Sequence, residues 1–151
     1  MLDRQGRVRY TFNHQVVAGL RQGKDRVFVT SHDVARLTAD HKARWVVPFE
    51  DPEWIVGGGL VEVRGGDLLA FLYSEAADSG VQLMRLNAAG KVVWRRYCRG
   101  LGVAHSEYSH HAKVAVEGNS VCVTSKGSEG TFVELLDLQT GKQLKRTVSK
   151  R

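Results

Sequence analysis

The sequence predicts an all-β chain: three tandem units of four short antiparallel strands, preceded by one lone outer strand. Sixteen glycines are spread along 151 residues, while the only two prolines, Pro48 and Pro52, share one short segment. That distribution favours many short strands joined by tight turns over a few long helices. A strand–turn–strand pattern ending in an aromatic residue also recurs along the chain, and a second turn with an apolar run lies upstream of each later copy.

The clearest hairpin runs from Leu86 through Asn87-Ala88-Ala89-Gly90 to Trp94. The same grammar spans Leu37 to Trp45 and Leu2 to Tyr10. A fourth copy, Leu136 to Lys145, has one extra turn residue and places Lys145 where the aromatic would fall. Asp or Asn opens such a turn by bonding its own backbone, and glycine supplies the positive φ that closes it. Gly6, Gly90 and Gly141 hold that position; His41 replaces glycine in the second copy, so that turn should be of another type or mildly strained. An aromatic four residues on recurs at Tyr10, Trp45 and Trp94, which marks a packing position.

Upstream lie Gly23-Lys24-Asp25, Gly65-Gly66-Asp67 and Glu117-Gly118-Asn119, each followed by a β-rich run at 26–31, 68–74 and 120–125. A shorter run precedes each turn, at 16–20, 59–63 and 112–116. The units therefore span about 14–50, 54–100 and 105–148, with the lone strand at 2–12. The second runs are nearly continuously apolar, which predicts sheets covered on both faces. Sheets stacked face to face around an axis meet that demand, as in a β-propeller, where a ring takes at least about four blades. The expectation is thus a propeller-type array of three four-stranded blades forming an incomplete ring. Its open faces and edges favour a homo-oligomer.

The Leu-Asp-x-x-x-Gly-x-x-x-Trp grammar, carried by Leu136 to Gly141 and by Leu86 to Trp94, resembles the repeat of quinoprotein-type (PQQ-like) β-propellers. The resemblance implies that Trp45 and Trp94 pack between neighbouring blades, with Tyr10 a partial substitute, and that the last blade has an unusual neighbour. That family includes dehydrogenases that hold pyrroloquinoline quinone and non-catalytic scaffolds such as outer-membrane assembly lipoproteins. Quinone chemistry would call for a calcium-binding carboxylate set and, usually, adjacent cysteines. Cys98 and Cys122 are far apart and no such carboxylate set is evident. The resemblance is therefore to the non-catalytic branch, with no enzyme activity, metal or cofactor expected.

Composition bounds the rest. With 42% apolar and 25% charged residues, the chain is one globular domain over 1–151. The formal charge of +6 permits attraction to nucleic acid, anionic lipid or an acidic protein. Arg95, Arg96 and Arg99 beside Tyr97, with Lys142, Lys145, Arg146, Lys150 and Arg151, form basic edges; protection of outer strands explains them better than phosphate tracking does. No apolar run is long enough to span a bilayer and the N-terminus lacks a secretory stretch, so a cytoplasmic location with reduced cysteines is expected.

Histidines cluster in the connection between units two and three, at His105, His110 and His111, with Glu107 and Tyr108 among them. Imidazole and carboxylate suit divalent metals, yet the spacing fits no metal motif, and alternation sends adjacent His110 and His111 to opposite faces. A hydrogen-bonded polar loop is the better account, and this loop is the expected binding surface. Gly57-Gly58-Gly59 has no following Gly-Lys-Ser/Thr and is no phosphate loop; it lets an inner strand pack close. The expected function is a non-catalytic, self-associating protein-interaction or scaffolding module. Nucleic-acid or polyanion binding through the outer strands is the second reading, and a fragment of a quinoprotein-like enzyme the third.

Overall fold

The computed structural model describes residues 12–76, 78–104 and 112–150. The lone strand at 2–12, apart from Phe12, lies outside the described residues. Twelve strands form three sheets of four, and no helix occurs among the described residues. Blade 1 comprises β1 (Val16–Gln22), β2 (Asp25–Thr30), β3 (Asp33–Leu37) and β4 (Ala43–Pro48). Blade 2 comprises β5 (Ile55–Glu62), β6 (Leu68–Ser74), β7 (Val81–Leu86) and β8 (Val92–Cys98). Blade 3 comprises β9 (Lys113–Glu117), β10 (Ser120–Gly127), β11 (Gly130–Asp137) and β12 (Gln143–Lys150).

Each sheet is an antiparallel meander in chain order, so hairpin turns alone set its register. The inner strands β1, β5 and β9 neighbour one another in turn, which places them about a common axis. A bulge interrupts the outer hairpin at the same place in each blade: Arg36/Leu37, Arg85/Leu86 and Leu135/Leu136. It follows the turn and bends each outer strand relative to its partner.

The unit three connection, expected over Lys126-Gly127-Ser128-Glu129-Gly130, is shorter in the structure. Lys126 and Gly127 end β10 and Gly130 begins β11, so only Ser128-Glu129 form the turn. Gly57, Gly58 and Gly59 lie within β5, where a Cβ would strike the Tyr73 ring, the Phe71 backbone and the Phe71 ring respectively. The glycine run therefore accommodates aromatics of its neighbour β6 as well as the approach of Val17 from blade 1.

The core lies between blades. Leu68, Ala70, Leu72, Met84 and Leu86 pack with Val27, Val29 and Val34 of blade 1, while Leu69, Phe71, Leu83 and Trp94 pack with Val121, Val123, Phe132 and Leu136 of blade 3. Alternate residues of β6 thus feed two cores, and Leu68 through Leu72 are buried without a break. The expectation that every second strand is covered on both faces holds for this middle blade only. Residues of β10 alternate buried and half-buried, because only one side of blade 3 meets another sheet.

The outer faces of blades 1 and 3 meet no other sheet among the described residues. On blade 1, Gly19, Phe28, Ala35 and Val46 form one cross-strand row turned away from blade 2, with Val46 45% exposed and Phe12 set edge-on against Phe28. On blade 3, two rows face outward: Lys113, Thr124, Val133 and Thr147, and Ala115, Cys122, Leu135 and Lys145.

Candidate functional site

The turn grammar explains how the blades are joined. The bonds Gly90 N–H to Asn87 O and Gly141 N–H to Asp137 O close two of the outer turns, and His41 N–H to Thr38 O closes the third. Gly90 and Gly141 have φ of 82° and 72°, and His41 takes the same left-handed conformation at 62°. The second copy therefore keeps the turn shape, with a strained side chain in place of glycine.

Onto each glycine-bearing turn packs the tryptophan of the preceding blade. The Trp45 indole covers Gly90, where a Cβ would come within 2.5 Å of the ring, and its Nε1–H donates to Ala88 O at 3.1 Å. Trp94 covers Gly141 in the same way, with Nε1–H donating to Leu138 O at 2.8 Å. Glycine is required here twice over, for the backbone angle and for the flat surface against the ring.

A second component repeats alongside. Arg36 in β3 donates from Nε to Asp25 at 2.7 Å and lies 3.5 Å from Ala88 O through Nη1. Arg85 in β7 donates from Nε and Nη2 to Asp67 at 3.1 and 2.9 Å, and from Nη1 to Leu138 O at 2.8 Å. Each joint thus has a carbonyl on the following turn facing a tryptophan and an arginine, the arginine being held by an aspartate. Hydrogen bonds from Arg44 and Arg36 hold the Asp25 carboxyl below its ordinary value. In blade 3 the equivalent positions are Ser120, Leu135 and Lys145, so the joint has no counterpart on its outward side.

Sequence reasoning missed the arginine–aspartate half of the joint. Its signal was present: an aspartate directly after the upstream turn, and an arginine directly before the leucine that opens the hairpin, in both of the first two units.

The arginines that looked like a basic edge are largely committed between blades. Arg96 and Arg146 both reach the buried Glu134, each at 3.3 Å, while Arg146 also donates to Arg99 O at 2.6 Å and lies over the Phe132 ring. Arg95 donates to Pro48 O at 3.0 Å. Cys98 is buried beside the same carboxylate; burial first, then Glu134, pushes its thiol far above the ordinary range.

A cleft of about 560 Å³ lies where the linker from blade 1 enters blade 2. Linker 49–54 forms one wall, the β6–β7 loop another, and Arg95 and Tyr97 of β8 a third. Phe49, Ile55 and Leu72 give it an apolar floor, and Glu50, Asp51, Glu53 and Asp78 stand around it. Glu75 N–H donates to Trp54 O at 3.0 Å, tying linker to loop. Asp51 and Trp54 have positive φ, 41° and 52°, and Trp54 is 71% exposed. Burial and the nearby Asp78 raise the Tyr97 phenol above its ordinary value, so it remains a neutral hydrogen-bonding group.

The expected binding loop, His105, Glu107, Tyr108, His110 and His111, lies outside the described residues, as do Gly6 and Tyr10. Among the described residues, no group of three or more His, Cys, Asp or Glu side chains is placed to hold a metal ion. Nor is any helix among them long and apolar enough to cross a membrane.

No protein-family model matches the chain, and no curated protein matches it. Solved structures do. A protein of unknown function from Bacteroides caccae superposes with a TM-score of 0.58 at 10% identity, over 89% of this chain and 46% of that one. The WD40 domain of Neurospora crassa Pan2 gives 0.52 at 14% identity, over 87% of this chain and 35% of that one. A eukaryotic initiation factor gives 0.58 at 8% identity, over 95% and 35%. The chain spans less than half the length of each. At these identities the likeness is one of fold, and the fold is that of a β-propeller module.

Proposed function

We propose that the chain is a non-catalytic interaction module, of PQQ-like ancestry, whose blade 1 outer face pairs with a second copy. The observation that carries this reading is that the outer faces of blades 1 and 3 meet no other sheet among the described residues. Blade 1 offers Phe28 and the exposed Val46 there, and blade 3 offers Ala115, Cys122, Val133 and Leu135 among Lys113, Thr124, Lys145 and Thr147 but no tryptophan or arginine for a following turn. A head-to-tail ring of copies would set blade 3 against blade 1 without a tryptophan–arginine joint. An isologous pair through blade 1 buries apolar surface on both sides and closes by symmetry.

The ionic groups support a packing role over a chemical one: Asp25, Asp67, Arg85 and Glu134 are spent on bonds within and between blades. The same commitment of Arg96 and Arg146 weakens the polyanion-binding alternative. Size exclusion with light scattering tests the reading. A dimer at micromolar concentration, converted to monomer by Val46→Arg, is the expected result; a monomeric wild-type chain across the concentration series contradicts it.

A further inference from the structure

The cleft at the blade 1–blade 2 junction has a chemistry that self-association through blade 1 does not use. Strand direction places the linkers after β4 and β8 at the same end of the array as the β6–β7 and β10–β11 loops. Backbone bonds join them there: Glu75 N–H to Trp54 O, Gly100 N–H to Asp78 O and Glu129 N–H to Leu101 O. Among the described residues, those segments carry six carboxylates (Glu50, Asp51, Glu53, Glu75, Asp78 and Glu129) and one cation, Arg99, while Arg95 and Arg96 of β8 line the cleft and Lys150 ends β12 opposite Gly130. On a chain of net charge +6, the cleft lining holds more carboxylates (Glu50, Asp51, Glu53 and Asp78) than cations (Arg95 and Arg96).

We infer that this cleft binds an extended lysine- or arginine-bearing segment of a partner protein. The apolar floor of Phe49, Ile55 and Leu72 accepts an aliphatic stem or a neighbouring apolar side chain. A volume of about 560 Å³ falls within the usual range for a cleft that encloses a small group. The carboxylates on the walls receive the cationic heads, and the exposed Trp54 face at the rim offers a cation–π surface. Glu50 and Asp78 are weakly engaged within the chain, at 3.7 Å from Arg95 and 3.8 Å from Arg99, and both are largely exposed, so an incoming cation meets little competition. A nucleic acid would meet repulsion from the same carboxylates. The inference rests on the interaction-module reading but not on the pairing of copies.

The test titrates the whole chain into a fluorescein-labelled peptide of alternating lysine and alanine, with an alternating glutamate–alanine peptide as control. Saturable, salt-sensitive binding of the lysine peptide alone is expected. The Glu50→Gln, Glu53→Gln, Asp78→Asn triple variant should weaken it about tenfold or more and flatten its salt dependence. Trp54→Ala should weaken it roughly two- to fivefold and leave the salt dependence intact. Circular dichroism checks that each variant remains folded, which the exposure of these side chains favours. Absence of binding at low salt, equal binding by the triple variant, or preferential binding of duplex DNA at this end would overturn the proposal. The Val46→Arg chain should bind the peptide as the wild type does, so a failed peptide assay with intact pairing sinks this inference and spares the module reading.

Discussion

Replacing Trp94 by alanine removes the largest side chain of the blade 2–blade 3 joint. The indole is 7% exposed, covers Gly141 and donates to Leu138 O at 2.8 Å. Truncating a buried tryptophan costs roughly 3–5 kcal/mol through lost transfer energy and the cavity left behind. The hydrogen bond adds little to that, because Leu138 O keeps its second donor, Arg85 Nη1, at 2.8 Å. A loss of about 3–4 kcal/mol follows, which for a chain of this size lowers the melting temperature by about 10 °C. Trp94→Phe retains a ring over Gly141 and loses only the N–H, so it should cost about 1 kcal/mol. Trp54→Ala, at an exposed position, serves as the control and should stay within about 0.5 kcal/mol. Urea denaturation followed by circular dichroism gives all three values. A Trp94→Ala chain as stable as Trp54→Ala would refute the claim that outer-strand tryptophans hold the blades together.

Other consequences are independent of that joint. His41→Gly relieves a left-handed side-chain conformation at a cost in unfolded-state entropy, so denaturation midpoints should rise by a net of about 0.5–1 kcal/mol; a fall would mean that the His41 ring packs productively. Glu134→Gln leaves Arg96 and Arg146 without their shared countercharge inside the blade 2–blade 3 contact, and should destabilise by about 3 kcal/mol in the same assay. Asp25 is held below its usual value of 3.8 by Arg44 and Arg36, and Asp137 by the Thr140 and Gln139 backbone N–H groups. Their stabilisation is complete above the unfolded value and is lost as pH falls from about 4 through the lower folded values. Asp25→Asn should remove part of that acid dependence in a pH series of melting curves. With a thiol reagent at pH 8, the half-buried Cys122 should react in the native chain and Cys98 only after denaturation.

The blades were legible because their signals are local. Asn87 with Gly90, and Asp137 with Gly141, write a turn into four or five consecutive residues, and the spacing to Trp94 is fixed by one hairpin. His41 shows the limit of such reading: the bonds around it match those at Gly90, so the neighbouring strands impose the conformation that the residue alone disfavours. The cover on each sheet was less legible. The run from Val121 to Val123 is apolar enough to suggest two buried faces, yet Ser120, Cys122 and Thr124 point to one side, which meets no further sheet among the described residues.

The cleft was invisible in the sequence because its walls come from residues some twenty to fifty positions apart, Glu50, Asp78 and Tyr97, brought together by the blade-to-blade path of the linker. Trp54 carried no repeat signal and looked like any linker aromatic until its exposure was seen.

The stacking of successive sheets through a tryptophan on a glycine turn is tested most directly by the NMR shifts of the Gly90 and Gly141 α protons. Under each indole they should be displaced far upfield, with contacts from the Trp45 and Trp94 Nε1 protons to the Ala88 and Leu138 turns, and Trp94→Ala should return the Gly141 signal alone to its ordinary position. Ordinary shifts for both glycines in the wild-type chain would contradict the account.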